Sequence, residues 1–422
     1  MSDISLSEDY LFHELRRTEP DYVIYAPHAE AGHDDHGNEH LHVFRAKDGN
    51  LCALWTMSEF ECTHTQRPMF SRSFNGGLTW TTPQCLLRDP IDRETGRNMG
   101  SWAAAAISTS GRIYVIYNKH AGNRESHQRG RMAILCSDDC GKTWSDEAIR
   151  DLPRSQYDLD DPSQTVDWVV WQDATRLASG RVIMGYSHGW IHPRYAARPG
   201  APWVDRQCSC EFFSLDNIDD DPAPADLRLT FLAQGDAALS APQHADPTRR
   251  SGEEPAICEL PDGRLFCVMR TVEGHIWYSV SPDGGVTWRP TEMLRFRDGG
   301  EGIRHPLSPC PMFRISEAEY VLFAHCHDGF HGTDRPQIDW NWRNPLYLLK
   351  GEFRPDAHQP VWFSEPVPFM DNGDATLTRK EISMYSSMTI DQDGTPIFWY
   401  PDRNFFLLGR RIPRKLLDQM RV

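Results

Sequence analysis

The sequence has no surplus of positive charge: 44 Lys and Arg stand against 60 Asp and Glu, for a net charge of −16. That balance argues against a nucleic-acid partner and against an anionic membrane surface. No apolar run approaches the roughly 18 residues that cross a bilayer. The opening "MSDISLSEDYLFHELRR" is acidic and lacks the apolar stretch of a secretory leader, so a cytoplasmic location is expected. Helix signals are weak throughout. The 11 Cys are an odd number, scattered through strand-like stretches such as "LCALW" and "LFCVMR". They read as buried free thiols rather than a disulfide framework. Cys208 and Cys210 have no second pair at zinc-site spacing, and neither a metal nor a cofactor is expected.

What is present is repetition. "SPDGGVTW" (281–288) follows a β-run, and its Asp and Gly residues suit a tight turn closed by an apolar Trp. The same device appears as "CSDDCGKTW" and, with Asn for Asp, as "SRSFNGGLTW". Asp138 and Asp283 are expected to staple these turns rather than act in chemistry. A second signature, a β-run, a turn ending in Gly and another β-run, recurs in "HLHVFRAKDGNLCALWT", "WAAAAISTSGRIYVIYN", "WQDATRLASGRVIMGYS", "EPAICELPDGRLFCVMR" and "YSSMTIDQDGTPIFWYP". "SPCPMFRISEAEYVLFAH" fits with its Gly replaced. Repeating antiparallel units of this kind predict an all-β chain, one six-bladed β-propeller domain of four-stranded antiparallel blades over residues 1–422. "DYVIYA" near the N-terminus would supply the strand that closes the last blade, and "ARPGAPWVDR" and "GFHGTDRPQIDWNW" read as loops.

In a propeller, the start of each first strand, the end of each second strand and the start of each third strand share one rim. Aligned on the Gly, first strands open at His40, Trp102, Trp171, Glu254, Ser308 and Tyr385. Second strands end near Thr56, Asn118, Ser187, Arg270, His325 and Pro401, and third strands open near Arg67, Arg131, Arg206, His275 and Arg343. Ionisable and aromatic residues thus recur in equivalent register, which predicts a polar funnel on the face opposite the Asp turns. The run "HDDHGNEHLH" (33–42) carries four His and reads as a polar loop at the mouth of the first unit rather than a metal site.

With its Asp-type turns and propeller spacing, the chain resembles the sialidase (neuraminidase) superfamily over nearly its whole length. The resemblance places that family's glutamate on Glu254, its carboxylate-binding arginines on Arg270 and, in "WRNPLYL", Arg343, and its tyrosine nucleophile, in "MYSSMTIDQDG", on Tyr385. Two positions depart. The family's first arginine falls on His40, and its acid/base aspartate has no match in "EFECTHTQRP", which offers Glu61, Thr63 and His64.

The resemblance implies an acidic oligosaccharide or glycan as partner and three possible activities. An exo-glycosidase would bind the carboxylate through Arg270 and Arg343, use Tyr385 with Glu254, and draw its acid from His64, Glu61 or His120. A polysaccharide lyase acting beside a uronic acid would use His40, His120 or His188 as base and Tyr385 as acid. A non-catalytic sugar-binding propeller would use Trp102 and Trp171 as stacking platforms. Arg67, His188 and His325 complete the candidate rim for substrate contacts.

Overall fold

Apolar runs broken by Gly, Asn and Asp turns become strands in the computed structural model, which describes residues 7–29, 33–122, 127–197, 203–243, 246–332, 342–377 and 379–422. β1 is Tyr22–Tyr25. β2 to β5 (Gly37–Arg45, Leu51–Ser58, Arg67–Ser73, Gln84–Cys85) form an antiparallel sheet in chain order. β6 to β9 (Gly100–Ile107, Ile113–His120, Arg129–Ser137, Ala148–Arg150) repeat it. The next group is β10 to β14 (Val166–Val170, Thr175–Arg176, Val182–Gly189, Cys208–Leu215, Leu229–Leu232), in which β10 and β11 both pair with β12. A short pair, β15 (Ala241–Pro242) and β16 (Arg250–Ser251), leads into β17 to β20 (Glu253–Glu259, Leu265–Arg270, Trp277–Ser281, Glu292–Met293). β21 to β25 (Met312–Arg314, Glu319–Ala324, Leu346–Phe353, Val361–Phe363, Val367–Met370) follow, then β26 to β28 (Ser387–Ile390, Pro396–Asp402, Phe406–Arg411). β1 joins this last sheet by pairing with β28, Tyr22 opposite Gly409.

These sheets form a β-propeller. Among the described residues the hydrogen-bonded sheets do not count as six separate blades: four groups and the short β15–β16 pair stand alone, while β6 to β14 run together into one nine-stranded sheet. The fusion comes from β10, whose Val166 and Asp167 pair with Gly130 and Arg129 at the start of β8. Apolar packing nevertheless closes a circle. One buried cluster joins the first group to the second through Phe44, Phe70, Val115 and Leu135, and others link each later pair of neighbours. The last sheet meets the first through Ile24, Trp399, Leu407, Val43 and Trp55. Short helices α1 (Glu8–Glu14) and α2 (Arg414–Gln419) cover the outside, burying Leu11 and Leu417 in the cluster between the last two groups.

The Asp-type turns share one bonding scheme. Asp283 Oδ1 accepts from the Thr287 N–H at 2.8 Å, and Ser281 Oγ accepts from the Gly285 N–H at 2.8 Å. Asn75 does the same for Thr79 at 2.9 Å. In the second unit the stapling residue is Asp139, which accepts from the Thr143 and Lys142 amides. Asp138, expected in that role, instead pairs with Arg112 at 2.6 Å. The motif counts two residues from its Ser, and that residue is Asp139. Gly285 is needed twice over: its φ is +91°, and a Cβ there would meet Ile183 of the neighbouring sheet at 2.4 Å. Of the two long loops read from sequence, residues 198–202 and 333–341 lie outside the described residues.

Candidate active site

Three first strands bend at the same place. The pairing of β2 with β3 slips between Glu39 and His42, that of β6 with β7 between Ser101 and Ala104, and that of β17 with β18 between Glu253 and Ala256. At each bulge a non-glycine residue adopts a left-handed backbone: His40 (φ +52°), Trp102 (+52°) and Glu254 (+53°). Such conformations cost free energy, and β-bulges re-aim side chains. Here they turn consecutive residues onto one cavity, which Glu39 and His40 line together, as do Glu253 and Glu254. The bent backbones are tied to the sheet before them. The Trp102 N–H donates to Thr56 Oγ1 and the Glu254 N–H to Ser187 Oγ, both at 2.8 Å.

The cavity, about 650 Å³, is large enough for a sugar ring and its neighbours. Arg270 lies 2.7 Å from Glu254 Oε1 through Nη1, and the same nitrogen reaches the Tyr385 hydroxyl at 3.4 Å. Glu254 Oε2 is buried and, among the described residues, accepts no hydrogen bond. Burial lifts the Glu254 carboxyl to about 7, against the pull of Arg270. Burial and the charge of Glu254 also hold the Tyr385 phenol well above its ordinary value, so the hydroxyl keeps its proton until a base removes it. The His40 ring stacks on Tyr385, centroids 4.4 Å apart at 27°. Burial, with His42 and Arg270 nearby, keeps that imidazole neutral.

A second charged group faces the first. Arg343 Nη1 lies 3.3 Å from Glu381 Oε2. Arg379 reaches Glu381 Oε1 at 2.5 Å and Glu61 Oε2 at 2.8 Å. Burial raises the Glu61 carboxyl, but Arg379 and Arg343 outweigh it and hold the group ionised. Among the described residues no Arg or Lys forms an ion pair with Glu39; burial and the Glu61 charge push it well above the carboxylate range. Arg206, Arg403, Asn404, Phe60 and Cys62 complete much of the wall.

Glu254, Arg270, Arg343, Tyr385, His40 and Trp102 therefore converge on one cavity. Ser187, Arg206 and Glu61 line it too, while several other candidates stand elsewhere. Trp171 packs beneath the floor, 6.1 Å from the His40 ring and 5.8 Å from Tyr385. Its register explains this: Val169 pairs with Ser187 as Glu39 pairs with Thr56, so Val170 rather than Trp171 matches His40. His188 follows Ser187 on its strand and points the opposite way. It is buried between Asp158 (3.0 Å) and Glu211 (3.1 Å), whose charges raise it to about 10 in spite of burial. His325 lies parallel to His305 at 5.6 Å and contacts the Pro345 carbonyl at 2.9 Å. His64 and His120 group with each other and with His127, outside the cavity lining. Arg67 donates to the Thr65 and Asp34 carbonyls at 3.1 and 2.6 Å. The histidines of 33–42 diverge: His40 enters the cavity, while His42 faces Asp173 at 3.1 Å beside a smaller cavity.

Sequence reasoning missed Glu39, Arg379 and Glu381. The charged triplet "RKE" four to six residues before Tyr385 is the signal that marked two of them.

The BNR repeat-like domain family matches residues 49–397, and the chain belongs to that family. No curated protein matches it in sequence. Its fold is that of the sialidases. A leech intramolecular trans-sialidase superposes with a TM-score of 0.61 at 14% identity, covering 98% of this chain and 73% of that one. A Hadza microbial sialidase gives 0.58 at 13%, covering 90% of this chain and 66% of that one, so the chain spans just under two thirds of that enzyme. A Penicillium chrysogenum α-L-arabinanase gives 0.52 at 13%, with 94% and 98% covered.

Proposed function

We propose that this protein is a glycosidase that releases a terminal, carboxylate-bearing sugar with Tyr385 as nucleophile. The observation that carries the reading is Arg270, one guanidinium shared between the Glu254 carboxyl and the Tyr385 hydroxyl in a buried cavity. Glu254, near 7, is matched to take the phenol proton as Tyr385 attacks the anomeric carbon. Arg270 and Arg343 would both pair with the substrate carboxylate, and the hold of Glu254 on Arg270 weakens further as Glu254 takes the phenol proton. Trp102, on the cavity wall, offers an apolar face to the sugar ring. The structural likeness to sialidases and an arabinanase supports a glycosidic substrate.

A second reading, elimination beside a uronic acid, is favoured by one observation. His40 is neutral, lines the cavity and stacks on Tyr385, a base beside an acid. Product analysis on acidic glycans separates the two: hydrolysis releases a saturated acidic sugar, elimination an unsaturated uronate that absorbs in the ultraviolet.

A further inference from the structure

A glycosidase needs an acid for the leaving group, and the position at which the sialidase pattern carries its aspartate does not supply a free one here. The carboxylate nearest that position in sequence is Glu61, and Arg379 holds it in an ion pair at 2.8 Å. Glu39 is different. It lies at the bulge of β2, lines the cavity beside His40, and is 3% exposed. Among the described residues no Arg or Lys pairs with it. Gln66 Nε2 donates to its Oε1 at 2.9 Å, which fixes Oε1 as an acceptor and leaves Oε2 to carry a proton. Oε2 sits 3.8 Å from His40 Nδ1, and His40 stacks on Tyr385, so acid and nucleophile flank one imidazole.

We propose that Glu39 is the catalytic acid that protonates the departing glycosidic oxygen. The assignment rests on the glycosidase reading above. In the first step the Tyr385 oxygen bonds the anomeric carbon and its proton passes to Glu254. The glycosidic C–O bond breaks, and its oxygen leaves with the Glu39 proton. In the second step a water oxygen bonds the anomeric carbon and gives a proton to Glu39. The Tyr385–sugar bond breaks and Glu254 returns its proton to the phenol. Atoms and charge balance, and both carboxyls end as they began. Burial and the Glu61 charge push the Glu39 carboxyl up while Arg379 draws Glu61 down, the pattern expected of an acid beside a charge that raises its pKa.

Two measurements test this. Infrared difference spectra at pH 7 between wild type and Glu39→Gln need no substrate. A protonated-carboxyl C=O band present in wild type and lost in the variant is expected, and its absence overturns the assignment whatever the reaction. Kinetics then use the methyl and 4-nitrophenyl glycosides of N-acetylneuraminic acid and of glucuronic acid. Glu39→Gln is expected to lose roughly 10²–10⁴-fold in kcat/KM on the methyl glycoside that wild type cleaves. On the 4-nitrophenyl glycoside, whose leaving group needs no acid, it is expected to lose less than about tenfold. Glu39→Asp, which keeps an acid, is expected to recover part of the methyl-glycoside rate. Equal losses on both substrates, or none, overturn the role of Glu39 and leave the glycosidase reading standing. An unsaturated product overturns both.

Discussion

The imidazole of His40 lies against the phenol ring of Tyr385, although 345 positions separate them in the chain. They meet because the last sheet is packed against the first, with the Leu41 N–H donating to the Tyr385 carbonyl at 2.9 Å. Where the sialidase pattern carries an arginine, this chain presents an imidazole stacked on the Tyr385 ring. His40→Ala is expected to lower kcat by about 10–100-fold on an aryl glycoside with little change in KM, the signature of a group that orients the nucleophile. Steady-state kinetics check it. Complete loss of turnover, with an unsaturated product in wild type, favours the elimination reading.

On the glycosidase reading, Glu254 is expected to set the acid limb of the pH profile. With its carboxyl at about 7, the base form is absent in acid, so kcat/KM is expected to rise with pH up to about 7. Glu254→Gln is expected to remove that limb and to cost roughly 10²–10⁴-fold in rate. Stability runs the other way. A carboxyl raised on folding stabilises below its unfolded value, near 4.3, and that contribution is lost as pH rises through about 7. Glu254→Gln is therefore expected to flatten the fall of Tm between those pH values, measured by calorimetry.

Arg343 is expected to recognise the carboxylate of the sugar. In Arg343→Ala, binding of an acidic sugar is expected to weaken by about 2–5 kcal/mol, while binding of its methyl ester stays nearly unchanged. Titration calorimetry on the pair checks this. Equal losses on both ligands contradict the role. Glu381 retains Arg379 as a partner in that variant, so the fold is expected to survive.

The Asp-type turns contribute stability and no chemistry. Asp139→Ala and Asp283→Ala each remove bonds to turn amides and are expected to cost about 1–2 kcal/mol, with kcat of the folded protein unchanged. Asp138→Ala loses only an ion pair with Arg112 in which the Asp138 side chain is 67% exposed, and is expected to change Tm little. Thermal melts of the three variants, with kinetics on each, settle the contrast.

Much of this was legible because a propeller writes its architecture as a repeat. Aligning the units on their turn glycine places His40, Trp102, Glu254 and Arg270 on one rim, and all four line the cavity. What the repeat hides is local. The bulges at His40, Trp102 and Glu254 leave no compositional mark, since none of the three is a glycine. Alignment on the glycine sets Trp171 one residue out of register because its first strand is broken between Val170 and Thr175. His188 and His325 were misplaced by facing, as side chains alternate along a strand and one position decides between cavity and core. Arg379 and Glu381 fall before the last unit's first strand, where no period constrains the chain, and only the folded ring brings them to Glu61.

Covalent attachment of Tyr385 to the sugar is the step that separates the glycosidase reading from its alternatives. A fluorinated acidic glycosyl fluoride, whose electron-poor ring slows the second step, is incubated with the protein, and the intact mass and the modified peptide are measured. The account predicts one added sugar on wild type, located on Tyr385, and none on Tyr385→Phe at the same concentration. No adduct on wild type, an adduct on another residue, or normal turnover by Tyr385→Phe would contradict it.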